Sequence, residues 1–247
     1  MTKLYFNGCS FTYGSGLDNP ADACWAALVA KHYNAEYKND AVPGGSNDRI
    51  VKGVVTNIKN YDKFYVCWTY YSRFVKYNPV DNFEVLFTVG SVTGTKNSHN
   101  DKTKNNYTKY QEFVDIYYKH WFNELYEFKG FLHQIILLQS LFQVHRKDYV
   151  MLNTSYIWPW LSPIDSFAEN IKHMICFDKM SDEQIYREHK EINELVNQID
   201  LTKFVFWNYD IVSFMRECNF FISKNDGHPN TDGHKAIAEK ILAHDSN

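Results

Sequence analysis

Ser10 lies in the run Gly8-Cys9-Ser10-Phe11-Thr12-Tyr13-Gly14, and Asp226 and His228 lie in Asn225-Asp226-Gly227-His228-Pro229-Asn230, near the other end of the chain. A hydroxyl, a carboxylate and an imidazole are the parts of a hydrolytic triad. The imidazole removes the serine proton, the carboxylate orients the ring and stabilises the cation that forms, and backbone N–H groups hold the oxyanion. Gly44 and Gly45, in Val42-Pro43-Gly44-Gly45-Ser46-Asn47, leave backbone donors open to such an oxyanion. Thr69 and Arg73, in Thr69-Tyr70-Tyr71-Ser72-Arg73, offer a hydroxyl and a cation suited to an anion or a sugar. Plainer readings stand beside these: a turn serine, an Asx-turn aspartate, a loop histidine, a helix cap at Asn47 or Ser46, a surface ion pair at Arg73. Cys9 reads as a small buried hydrophobe rather than a rival nucleophile, and His234 as a packing or capping residue at a helix start.

Chemistry needs elements that bring these segments together. Residues 3–6 form a β-prone run that stops at Asn7-Gly8, residues 35–37 a second, and residues 63–69 a third that is apolar on both faces. Between them, Trp25, Leu28, Val29 and Tyr33 repeat at helical spacing within 22–33, and a further helix is expected over 48–59. Residues 74–108 break the rhythm and read as an insertion or lid. A long helical pattern covers 108–145, with Gly130 as a point of bending or splitting. Strands are expected at 149–153 and 204–207, and helices at 163–175, 181–199 and 231–244. Alternation over 1–247 predicts one α/β domain of three layers with a mainly parallel sheet. The first three candidate loops all follow a strand, where open parallel sheets bind ligands.

The composition fits this reading. The chain has 247 residues, 45% of them hydrophobic and 22% charged, enough to bury a large core. Its 26 basic and 29 acidic residues leave a formal charge of −3, which gives no pull toward nucleic acid or anionic lipid. No run approaches the ~20 apolar residues of a membrane span. The N-terminal residues lack a secretory apolar core, so a cytoplasmic protein is expected. Its five cysteines are widely separated and read as reduced thiols, neither a disulfide framework nor a metal cage. The high aromatic share, 17%, suggests a ring-built core, with Trp68, Tyr70, Tyr71, Tyr156, Trp158 and Trp160 as a possible sugar-stacking surface.

The block G-C-S-F-T-Y-G together with D-G-H-P-N-T-D-G-H resembles the SGNH hydrolase superfamily of GDSL-type esterases, and the two blocks frame nearly the whole chain. The resemblance implies a flavodoxin-like sheet, no metal or cofactor, and hydrolysis of ester or acetyl groups through an acyl-enzyme. It places the nucleophile at Ser10, the oxyanion glycine at Gly45 with Gly44 as second choice, and the acid and base at Asp226 and His228. Two departures are visible. Where the family supplies an asparagine after the third strand, this chain reads Cys67-Trp68-Thr69-Tyr70, leaving Thr69 as the nearest replacement. The family's Asp-x-x-His spacing is one residue shorter here, with Asn225 in the usual place of the acid. The expected activity is a serine esterase or acetylhydrolase acting on a small-molecule or O-acetylated carbohydrate ester. An O-acyltransferase, or a silent carbohydrate-binding module, is the alternative. Asn47 and Arg73 complete the expected substrate contacts. Ser10 Oγ is expected within roughly 2.6–3.5 Å of His228.

Overall fold

A strand covered on both faces needs a run of apolar residues, and residues 4–6, 64–68 and 149–152 supply three such runs. The computed structural model describes residues 1–78, 83–88, 91–94, 103–154, 157–172 and 180–246. In chain order the elements are β1 (Lys3–Asn7), α1 (Ser10–Tyr13), α2 (Pro20–Ala23), α3 (Trp25–His32), β2 (Glu36–Asn39), α4 (Asn47–Asn57) and β3 (Lys63–Trp68). There follow β4 (Phe74–Asn78), β5 (Phe83–Thr88), β6 (Ser91–Gly94), α5 (Thr103–His120), α6 (Glu124–Val144) and β7 (Asp148–Asn153). The last are α7 (Trp158–Leu161), α8 (Ile164–Lys172), α9 (Asp182–Val196), α10 (Ile211–Cys218), β8 (Phe221–Ser223), β9 (Asp226–Pro229) and α11 (Thr231–Asp245).

The central sheet has the order β2-β1-β3-β7 and is parallel throughout. Side chains alternate across it. Tyr5, Phe64, Val66, Trp68, Tyr149 and Met151 enter one core, shared with Ile50 of α4, Phe131 of α6 and Ile192 of α9. Leu4, Phe6, Tyr65, Cys67, Val150 and Leu152 enter the other, against Trp25 of α3, Met215 of α10 and Ile237 of α11. Helices on both faces of a parallel sheet make the three-layer α/β architecture expected from the sequence. Asp245, at the end of α11, accepts from Lys63 Nζ at 2.9 Å, Tyr65 Oη at 2.7 Å and Tyr33 Oη at 3.0 Å, fastening the last helix to β3 and α3.

Several sequence expectations change. The pattern over 108–145 is two helices, α5 and α6, and the break falls at Asn123, whose side chain accepts from Tyr126 N–H at 3.0 Å; Gly130 lies inside α6 and does not split it. The run at 204–207 meets the sheet only through a bridge between Met151 and Phe204, so it is no fifth strand. Ser46, not Asn47, caps α4 by accepting from Arg49 N–H. Trp68 and Trp160 are core residues, and Tyr71 packs on Phe128 and Trp160, so they form no open stacking surface. Tyr156 and Cys176 lie outside the described residues. The described cysteines, Cys9, Cys24, Cys67 and Cys218, are all free thiols. Among the described residues no helix is long and apolar enough to cross a membrane.

The described part of the insertion forms an antiparallel sheet, β4-β5-β6, tied to α4 through Glu84, which pairs with Arg49 at 3.3 Å and Lys52 at 3.0 Å. Residues 79–82, 89–90 and 95–102 of the expected lid lie outside the description.

His234, in the first turn of α11, is wholly buried and its Nδ1 accepts from Trp25 N–H at 3.2 Å. Burial is the main cause that pushes its pKa down to about 4, with His228 nearby adding to the effect. The unfolded chain therefore binds a proton that the folded chain refuses. Stability tied to this group is complete above the ordinary histidine range and falls as pH drops through about 6.5 toward about 4, by about 3 kcal/mol at most. Urea unfolding at pH 7 and pH 4.5 should show this loss, and His234→Gln should flatten it. An equal slope in the variant excludes His234 as the source.

Candidate active site

The site is assembled from four short segments at the carboxyl edge of the sheet. Asn7 ends β1 with its side chain turned back: Oδ1 accepts from Gly8 N–H at 2.8 Å, and Nδ2 donates to Tyr5 Oη at 3.1 Å. The chain then enters α1 at Ser10, which is 8% exposed. The Ser10 N–H opens the helix, where an amide has no intrahelical partner. The Ser10 hydroxyl makes no hydrogen bond among the described residues.

The second segment is a turn. Pro43 and Gly44, with φ of +76° at Gly44, bring Gly45 N–H onto the Val42 carbonyl at 2.8 Å, the pattern of a type II turn. The amide of Gly45, the expected oxyanion donor, is thus taken up by the turn itself, while the N–H of Gly44 has no acceptor among the described residues. Gly45 has a steric task instead. A Cβ there would lie 2.9 Å from the Val42 carbonyl oxygen and 3.0 Å from that of Gly8, so the turn can press against the Ser10 loop only because the side chain is absent.

Asn47 begins α4 and bridges to the third segment. Its Nδ2 donates to the Thr69 carbonyl at 3.1 Å and its Oδ1 accepts from Thr69 N–H at 2.9 Å. Asn47 is buried, so this is a clamp on the backbone after β3; it is neither the helix cap nor an open substrate contact. The Thr69 hydroxyl accepts from Arg73 Nη1 at 2.8 Å, and the Arg73 guanidinium lies 5.0 Å over the Tyr70 ring. Beside them a small cleft is lined by Asn47, Asp48, Tyr71, Arg73, Glu127 and Gln134.

The fourth segment is the hairpin β8-β9, which carries Asp226 and His228 on one strand. Asp226 Oδ1 accepts from His228 N–H at 3.0 Å and lies 2.6 Å from His228 Nδ1. The Asx-turn and the acid-base pair are therefore the same structure. These contacts, the backbone N–H first and the ring second, hold the Asp226 carboxyl below the usual range. An ionised carboxylate only accepts, so Nδ1 carries a proton, and it is the neutral form of the ring that presents a lone pair at Nε2. The hairpin rests on the Ser10 segment: the His228 ring lies 5.6 Å from the ring of Phe11, and a Cβ on Gly16 would meet Ile222 at 2.0 Å and stand 3.6 Å from Asp226 Oδ2. Gly16, at φ +85°, is a support that the sequence reading did not single out, although a glycine two residues past Gly14 is a signal for left-handed backbone. No group of three His, Cys, Asp or Glu side chains suited to a metal occurs among the described residues.

A protein-family profile described as a family of unknown function, DUF6071, matches residues 14–186, well over half of the chain. The chain belongs to this family. The matched region holds Gly44, Gly45, Asn47, Thr69 and Arg73 but stops short of Ser10 on one side and of Asp226 and His228 on the other. No curated protein matches. Among solved structures, the psychrotrophic esterase EstA from Pseudoalteromonas sp., inhibited by monoethylphosphonate, aligns over 100% of this chain and 97% of its own with a TM-score of 0.51 and 9% identity. A putative lipolytic protein of the G-D-S-L family from Desulfitobacterium hafniense aligns over 99% of both chains, with a TM-score of 0.44 and 10% identity. A putative SGNH hydrolase from Slackia heliotrinireducens aligns over 98% of both, at 0.46 and 10%. The fold is that of the SGNH hydrolases.

Removing the clamp tests how the edge is held. Asn47→Ala leaves the buried N–H and carbonyl of Thr69 without these partners and should cost roughly 2–4 kcal/mol. Asn47→Asp keeps an acceptor, loses the donor and buries a charge, so it should be no better. Urea midpoints measure both, and a loss below about 0.5 kcal/mol in each would show that the clamp contributes little.

Proposed function

We propose that this chain is a serine ester hydrolase with Ser10 as nucleophile, His228 as general base and Asp226 as the orienting acid. The observation that carries the reading is the 2.6 Å contact of Asp226 with His228 Nδ1 on a hairpin packed against the Ser10 segment. In this reading His228 Nε2 takes the Ser10 proton as Oγ attacks the ester carbonyl. The N–H groups of Ser10 and Gly44, with Thr69 beside them, face the oxyanion. Collapse releases the alcohol, which takes its proton from His228, and leaves an acyl-enzyme that water then cleaves by the same base. The esterase relatives of the same fold support this chemistry. The insertion at 74–108 starts one residue after Arg73, which supports a part in limiting access to the site.

Acceptance of the acyl group by a sugar hydroxyl in place of water uses the same acyl-enzyme, so an acyltransferase is a variant of this reading. A catalytically silent binder is the contrary one, and the absence of a Ser10–His228 hydrogen bond among the described residues favours it. Catalytic hydrogen bonds are often long in unliganded sites and tighten when substrate binds.

A fluorophosphonate probe separates the readings. The native protein should be labelled, and Ser10→Ala should not; no labelling of the native protein supports the silent binder. Asp226→Asn should lower ester turnover by roughly 100-fold or more while leaving the fold unchanged, because an amide can donate to imidazole and favour the wrong tautomer. Full turnover in that variant reduces the triad to a Ser-His dyad.

A further inference from the structure

Arg73 is a cation that forms no ion pair with a carboxylate among the described residues. One N–H of its fork is spent on the Thr69 hydroxyl, and its face rests on Tyr70. The other donors have no acceptor among the described residues, and no described carboxylate comes within ion-pair distance of it. The acids around it keep their charge but direct their hydrogen bonds to neutral donors and not to the guanidinium. Asp48 accepts from Gln134 at 2.8 Å, Glu127 from Tyr117 at 3.0 Å, Glu124 from Tyr71 at 2.9 Å, and Asp210 from Ser213 N–H at 3.0 Å and Ser213 Oγ at 2.7 Å. Arg49, on the same side of the sheet, shows the usual arrangement, donating to the Asp40 carbonyl at 2.9 Å and pairing with Glu84.

The position of Arg73 links it to the reacting centre. It holds the side chain of Thr69, which lies three residues past Val66, and the register partner of Val66 on the adjacent parallel strand is Asn7, three residues before Ser10. A planar fork with one edge occupied and the rest open matches a second anionic group on the ligand. A monoanionic carboxylate fits one guanidinium, whereas a phosphate dianion would call for further donors.

We propose that Arg73 makes this site selective for esters whose acyl part ends in a free carboxylate, as in a monoester of a short dicarboxylic acid. The inference rests on the hydrolase reading and names its substrate class. The acyl chain lies between Ser10 and Arg73, the ester carbonyl reaches the Gly44 turn, and the distal carboxylate pairs with the open donors of the guanidinium.

Two measurements test this separately from the hydrolase reading. In the first, kcat/KM is compared for p-nitrophenyl hemisuccinate and p-nitrophenyl butyrate, which differ in the terminal charge. The native protein should favour the anionic ester by about 10-fold or more, mainly through KM, and Arg73→Gln should erase that ratio. Arg73→Lys should keep part of it, as a point charge without the fork. Lys190→Gln, the same charge change on exposed α9, should leave the ratio at its native value. In the second, binding of monomethyl succinate and methyl butyrate to Ser10→Ala is titrated by calorimetry, with and without Arg73→Gln. If both esters are turned over and the ratio is the same with and without Arg73, the substrate assignment is wrong and the hydrolase stands. If neither is turned over but Ser10→Ala binds the succinate ester selectively through Arg73, the hydrolase reading fails and the carboxylate site stands. Binding that ignores both the charge and Arg73 overturns the inference outright.

Discussion

One carboxamide holds the working edge of this molecule. Asn47 gives a hydrogen bond to the carbonyl of Thr69 and takes one from its N–H, and so replaces, beyond the last paired residue of β3, the ladder that a neighbouring strand would supply. A parallel sheet stops pairing at its carboxyl edge, where each chain leaves for a helix on one face or the other. Without local partners the emerging backbone groups would be buried and unpaired. Trp68 meets the same need by accepting from Thr154 N–H at 3.0 Å and Thr154 Oγ1 at 2.8 Å. The Gly44–Gly45 turn, the Thr69 hydroxyl and the Arg73 fork all take their positions from that paired edge.

The sheet beneath is built on the opposite principle. Strands β1, β3 and β7 bury apolar side chains on both faces, and rings fill much of the space: Phe6 stacks on Tyr65 at 4.7 Å and Phe142 on Tyr149 at 4.6 Å. Burying each such side chain contributes roughly 1.5–3 kcal/mol. The polar edge is therefore placed by a scaffold whose stability comes from elsewhere, which lets the edge carry groups chosen for chemistry. His234 sits at the boundary between the two regimes, a polar ring pressed into the apolar layer beneath the hairpin.

Much of this was legible in the residues. The first and third strands are unbroken apolar runs, and a serine, an aspartate and a histidine beside turns are few enough to single out. The break at Asn123 was hidden because Trp121, Leu125 and Phe128 continue the helical spacing across it; the cap, a single polar residue, is the weaker signal. The engagement of the Gly45 amide was readable in principle, since Pro then Gly at the centre of a type II turn commits the following amide to the turn. A two-residue spacing on an extended strand puts Asp226 and His228 on one side, so their contact follows from local geometry. How the hairpin leans on α1 does not, because that rests on Phe11 meeting His228 and Gly16 meeting Ile222 across more than two hundred residues of chain.

The hairpin β8-β9 forms a sheet of its own, outside the parallel one, and it carries both members of the Asp226–His228 pair within four residues. The contact within the pair and the distance of the pair from Ser10 are consequently governed by separate parts. A rocking of the hairpin on the Ser10 segment would lengthen or shorten the gap to the serine while the carboxylate and the imidazole travelled together, their contact intact. What such a displacement changes is the distance of the pair from Ser10, and not the contact between Asp226 and His228.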